Sequence, residues 1–474
     1  MRRWVWGILA AAAGFSGRAP AFGVDAGAAL SSETVRTASE LRDRALSGTR
    51  AAQWVASLTD RAGPRLAGSP GDRAAVEWAL ETLREAGFAG VRSEKVEVSV
   101  WARTSESADV ESPWPRKLAV TALGGSVATP PDGIAGDLLR VSSLDELDTK
   151  GAEARGKIVF FDKKMERTRD FSGYSRAVDV RSKGPSRAAR WGAVAVLIRS
   201  IGTDSNRLPH TGGLDYDETE PRLPAAAVSA PDADTLERLV RRGEPVRVRL
   251  RLACGAKGTA ESANVVAEIP GSSRPAETVL LGAHLDSWDL GAGAIDDGAG
   301  CAIVIEAGRL ILRSSRRPAR TIRIVLFAHE ENGLAGGKTY AKAHAAELSR
   351  HSAAIEADSG SGRPIGLSWL AGPTAEPLVR RIATLLQPAG AGRASGDGSG
   401  GADISPLRAA GVPLFAIEQD VSTYFDFHHT ANDTFDKIEP EGLDRTVAAV
   451  AALAYVAADA PALFERIPEA KRTV

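Results

Sequence analysis

Cysteine and methionine are almost missing from this chain of 474 residues, with two of each. Two cysteines, Cys254 and Cys301, cannot make a disulfide framework. Neither sits in a C-x-x-C pair, which excludes a zinc–thiolate centre. Both are read as buried and inert, a single bridge between them being the alternative. Charge of one sign is also missing. Fifty-nine Lys+Arg against 60 Asp+Glu leave a formal net charge of −1, so charge gives no case for a nucleic-acid or anionic-membrane partner. Long apolar runs are lacking as well. No stretch approaches the ~18 uninterrupted apolar residues that a spanning helix needs, and no membrane association is expected.

What is present is an ordinary globular composition, 43% hydrophobic and 25% charged, at a length that calls for two or three domains. The amino terminus, "MRRWVWGILAAAAGFSGRAPAFG", places two arginines before a short apolar run and a small-x-small site at Ala19-Pro20-Ala21. That is the layout of a cleaved signal peptide over residues 1–21, and it implies a secreted or periplasmic protein.

Behind it, "VRSEKVEVSVW" alternates as a half-buried strand does. Residues 76–83 carry apolar side chains at helical spacing. Residues 22–117 are therefore read as the first part of a main domain. Residues 118–255 change texture, mixing short strands ("GKIVFFD", "AVAVLIRS", "VRVRLRL") with helices, and are read as an α+β insertion. From 256 to 474 near-continuous apolar strands alternate with helices. This predicts an α/β fold, a three-layer sandwich around a mostly parallel sheet. "GAGRASGDGSGGAD" (390–403) reads as a loop.

Ligands in such sheets collect beyond the carboxyl ends of the strands. After "ETVLLGA" come His284 and Asp286. After "TIRIVLFA" come His329, Glu330 and Glu331. After "SAAIEA" comes Asp358. Beyond "VPLFAIEQD" lie His428 and His429, and the Gly-rich loop "GAGAIDDGAG" adds Asp296 and Asp297. Each is weak alone, since Glu pairs open helices and Asp-Asp caps them. Together they form a metal-ligand set. "AHEENG" starts like H-E-x-x-H, but Gly333 stands where the second histidine is needed.

The segments "GAHLDSWDLGAGAIDDGAG", "AHEENG", "IEADSG" and "FHHTANDT" resemble those of the di-zinc exopeptidases of the carboxypeptidase Q (plasma glutamate carboxypeptidase) type, in the aminopeptidase-like zinc peptidase superfamily. "GPRLAGSPG", "LGGSVATPPDGI", "ARGKIVFF" and "PHTGG" extend the resemblance over nearly the whole chain. It implies a zinc-exopeptidase fold with a protease-associated domain inserted. It also implies two Zn2+ per subunit: His284 and Asp358 on one, Glu331 and His429 on the other, and Asp296 bridging them. Glu330 would be the general base toward a metal-bridging hydroxide, and the Asp286 carboxylate would orient the His284 imidazole. His329 would be a bystander. His428 stands where some relatives have a tyrosine that steadies the oxyanion, so it takes that role, with Tyr424 second. A cis peptide is expected between Asp296 and Asp297.

The substrates implied are dipeptides and short peptides, cleaved as by a carboxypeptidase or dipeptidase, and a homodimer is expected. An aminopeptidase with the same site remains open, as do cobalt or manganese in place of zinc. Which terminus is clamped depends on groups that the sequence does not place, Asp403, Arg393 and His210 being candidates. A non-catalytic binding protein on this scaffold is the third reading, disfavoured because every ligand and Glu330 are present.

Overall fold

In the computed structural model, residues 30–473 are described, and the expected signal peptide, residues 1–21, lies outside them. The buried strands explain the apolar runs. Every position of the strand Arg320–Phe327 is buried. Ile322, Ile324 and Leu326 pack into one core, while Val325 and Phe327 pack into another on the opposite face. A sheet covered on both faces needs apolar side chains at every residue rather than at alternate ones.

Helices Ser32–Leu46, Ala51–Ala62, Pro70–Ala86, Ala299–Leu312 and Pro440–Asp459 cover one face. Ala335–Ala343 and the turn Ser405–Ala410 contribute to the other. Pro70–Ala86 shows how locally such helices are specified. Ser69 caps the Asp72 amide, Pro70 opens the first turn, and Gly87 ends the helix in a left-handed conformation at φ 93°.

The sheet is mixed. At its centre Leu414–Gln419, His351–Glu356, Arg274–His284 and Arg320–Phe327 run parallel. Pro364–Leu370 and Arg247–Ile269 flank them antiparallel. The 390–403 segment, expected as a loop, adds a three-residue edge strand, Ala394–Gly396.

Two elements depart from their sequence reading. Ala89–Ser112 and Arg247–Ile269 are single long strands of 24 and 23 residues, paired antiparallel along nearly all their length. Alternation reveals only the stretches that rest on a core. Around Gly255 and Gly258, at φ 150° and 97°, the ribbon is mostly exposed and nothing in the side-chain pattern marks it. The boundary read at residue 255 falls inside this strand. On its far side Ile134–Val141, Ile158–Phe161, Ala195–Arg199 and Ala225–Val228 form a parallel sheet closed by antiparallel Val120–Ala122. Two further apolar clusters cover its faces. Among the described residues no helix is long and apolar enough to cross a membrane.

Candidate metal centre

Three parallel strands end in chemistry. Arg274–His284 finishes on His284 itself, Arg320–Phe327 leads into Glu330 and Glu331, and His351–Glu356 leads into Asp358. The loop after Leu414–Gln419 returns His428 and His429 to the same place. Asp296 lies at the middle. Its Oδ1 is 3.1 Å from His284 Nε2, which is also 3.8 Å from Asp358 Oδ1. Its Oδ2 is 3.3 Å from His429 Nε2, which is 3.1 Å from Glu331 Oε2. The two oxygens of one carboxylate thus face two different imidazole–carboxylate pairs. His428 stacks on His429 with ring centroids 3.5 Å apart, and its Nε2 is 3.6 Å from Asp296 Oδ2. By donor spacing, Asp296 and His429 form a triad with His428 as well. Glu330 lines the cavity above, and its carboxylate makes no hydrogen bond among the described residues.

Backbone carbonyls set the imidazole tautomers. His284 Nδ1 is 3.1 Å from the Asp286 carbonyl and His429 Nδ1 is 3.3 Å from the Thr211 carbonyl. A carbonyl only accepts, so each Nδ1 carries a proton, and in the neutral imidazole each Nε2 lone pair would be offered to the cluster. Asp286 is read from the sequence as orienting His284 through its carboxylate. In the structure the hydrogen bond to His284 Nδ1 is taken by the Asp286 carbonyl, while the carboxylate stands 3.8 Å from Nδ1. The carboxylate instead accepts from the amides of Glu330 (2.9 Å) and Glu331 (3.3 Å). Buried acceptors go to the nearest unpaired donors, here the amides of the turn that carries both glutamates.

Other residues position the cluster. The Asp433 carboxylate accepts from the amides of Ile295 (2.6 Å) and Asp296 (3.1 Å). Asp297 accepts from the amides of His284 and of Gly300 in the next helix. The Asp296–Asp297 peptide is cis, as expected. Arg65, fully buried, donates to the carbonyls of Leu285, Ala292 and Gly293 at 2.6–2.8 Å, pinning the loop before Asp296. Asp433 and Arg65 lie within the quoted segments "FHHTANDT" and "GPRLAGSPG", a signal that could have singled them out.

The electrostatics call for a cation. Burial by itself would lower His284, yet hydrogen bonds with Asp296 and Asp358 hold it well above the usual histidine range. His429, against the same burial, is raised to about 9 by Glu331 and Asp296. The carboxylates draw protons onto both imidazoles, the behaviour of a site whose buried groups favour positive charge. Glu331 Oε1 is buried without a partner. An orphaned carboxylate oxygen, Nε2 atoms aimed inward and a shared carboxylate suit a hard or borderline divalent ion. Burial, assisted by Glu331, Asp358 and Asp286, pushes Glu330 well up. Burial and His429 push His428 well down, leaving it neutral.

Residues 204–211 reach the cluster from the second sheet's side of the molecule. His210 donates from Nδ1 to the His428 carbonyl at 2.7 Å, its other nitrogen lying 2.6 Å from Asp204. The Thr211 amide donates to the His429 carbonyl at 3.0 Å. Part of "PHTGG" therefore grips the ligand loop. Other candidates fall elsewhere. His329, at φ 61°, contacts Ser99. Arg393 pairs with Glu418 on the surface. Asp403 is buried beside Glu356 and does not line the cavity. Both cysteines are buried and unbridged.

A mixed sheet with helices on both faces and a His/carboxylate basin at its strand ends defines a class, the α/β enzymes with a cation centre. The sequence pattern of peptidase family M28 matches residues 264–454. Carboxypeptidase Q of Mus musculus is 37% identical over 417 residues, 88% of this chain and 87% of the mouse protein. A crystal structure of a peptidase M28 precursor from Shewanella amazonensis is 45% identical with a TM-score of 0.90, covering 92% of this chain and 99% of that one. A zinc aminopeptidase from Bacillus subtilis, 20% identical over 88% of this chain and 98% of its own, shares the fold with a TM-score of 0.63. The chain belongs to peptidase family M28.

Proposed function

We propose that this metallo-exopeptidase is an exported di-zinc enzyme that hydrolyses dipeptides and short peptides from the carboxyl end. The observation that carries the reading is the division of Asp296: each oxygen meets its own imidazole–carboxylate pair, with the free Glu330 carboxylate beside them. His284 and Asp358 would hold one zinc, His429 and Glu331 the other, and Asp296 both. Zinc in such a site supplies Lewis-acid polarisation of a carbonyl and a water acidic enough to ionise near neutrality.

The chain's own groups do the rest. The Glu330 carboxylate takes the proton from the attacking water and hands it to the leaving amine. Burial raises its basicity for that task. The neutral His428 imidazole and the hydroxyl of Tyr424, both residues of the cavity lining, are the donors for the oxyanion. Residues 118–255 act as a protease-associated-like lobe that roofs the site, residues 1–21 as the export signal, and the subunits pair as homodimers.

The test is hydrolysis of a panel of unblocked dipeptides by the wild type and Glu330→Gln, with zinc counted in both. The expected outcome is a loss of about 10²–10⁴ in kcat with two zinc ions retained per chain. Loss of zinc along with activity would mean that the two glutamates have exchanged roles. Zinc-loaded wild type that cleaves no dipeptide would end the reading.

A further inference from the structure

The cavity over the cluster has a volume of about 440 Å³, within the ~300–1,000 Å³ range of small-molecule sites. Its floor is acidic, with Asp296, Glu330, Glu331 and Asp358. Its roof comes from the inserted lobe, and among the described residues Arg181, in that lobe, is the one arginine or lysine of the cavity lining.

Arg181 is 7% exposed. Its Nη2 donates to the Tyr174 hydroxyl at 2.6 Å, and the guanidinium stands over the Tyr174 ring at 5.4 Å. Nε is buried with no partner, and no carboxylate among the described residues pairs with the group. Gly212 explains how it fits. A Cβ there would lie 2.3 Å from Nη1, so the absence of a side chain lets the fork rest against the backbone. The glycine of "PHTGG" thereby acquires a reason.

A buried guanidinium with unused donors costs stability unless something anionic meets it. A planar fork fits a carboxylate through two parallel hydrogen bonds. We infer that Arg181 anchors the terminal carboxylate of the substrate, so that the bond presented to the cluster is the one preceding the last residue. This rests on the peptidase reading above and adds to it the residue that selects a free carboxyl terminus. Asp215, exposed, is the one carboxylate that the lobe contributes to the cavity lining among the described residues.

The experiment compares an unblocked dipeptide with its carboxyl-terminal amide, using wild type, Arg181→Met and Arg181→Lys, with zinc content and thermal midpoint recorded for each. Wild type should prefer the free acid by about 10- to 100-fold in kcat/KM, the range of a charged hydrogen bond. Arg181→Met should lose that factor on the acid through KM and leave the amide unchanged. Arg181→Lys, which keeps the charge without the fork, should fall between and serves if the methionine variant does not fold. An equal loss on both substrates would show that Arg181 merely offsets the charge of the cluster, and would overturn the inference. If wild type cleaves no peptide at all, the reaction is overturned separately. Arg181 is then judged by calorimetric binding of the same pair to the same proteins, where no preference for the acid overturns it.

Discussion

At the residue scale the centre is built as much from main-chain groups as from side chains. The candidate ligands were legible because histidine and carboxylates directly after apolar strands are conspicuous. Their supports were not, because Thr211 and Asp286 act on the histidines through carbonyls, which every residue has. Arg65 tests this layer. Arg65→Met removes donors from three carbonyls, two of the three bonds being fully buried. At about 1–3 kcal/mol for each buried acceptor left unpaired, a loss of about 3 kcal/mol or more in unfolding free energy is expected, with weaker zinc retention during dialysis against a chelator. Unchanged stability and zinc content would mean that the loop before Asp296 holds itself.

At the element scale, regular structure was readable wherever burial imposes a period, and unreadable where it does not. The apolar strands and the amphipathic helix Pro70–Ala86 fall in the first group. The exposed middle of the Arg247–Ile269 strand falls in the second, since its pairing is by backbone alone. The closing helix Pro440–Asp459 is buried at nearly every position from Gly442 onward and lies against the leading helix, where Thr34 donates to Asp459 at 2.6 Å. Leu453 is fully buried in its core. Leu453→Ala should cost about 2–5 kcal/mol, measured by urea unfolding with an unchanged m-value. A cost under about 1 kcal/mol would show that this helix does not anchor the sheet.

At the scale of the whole molecule, two packed bodies share one ribbon and meet again across the acidic basin, and buried titratable groups away from that basin link folding to pH. His351, buried between Tyr340 and the Glu347 carbonyl, is lowered to about 4 chiefly by burial. Its folded value lies below the ordinary ~6.5. The unfolded chain therefore binds a proton that the folded one refuses, and this group's contribution to stability is lost as pH falls from about 6.5 toward 4. The slope is up to about 1.4 kcal/mol per pH unit. Asp72, pushed up to about 6 by burial, tilts the opposite way between about 4 and 6, but it is common to wild type and variant. The difference in unfolding free energy between wild type and His351→Gln should therefore shrink as pH drops through this window. A difference independent of pH would mean that His351 titrates normally.

The sequence by itself determined the α/β class, the strand ends and the acidic and imidazole side chains that stand there, because burial periodicity and residue type are local properties of a chain. Only the tertiary structure decided which carbonyls fix the imidazole tautomers, that Asp286 serves the Glu330–Glu331 turn, and that Arg181 faces the acidic floor from another lobe. Those facts depend on distances between segments far apart along the chain, and no local pattern encodes a distance.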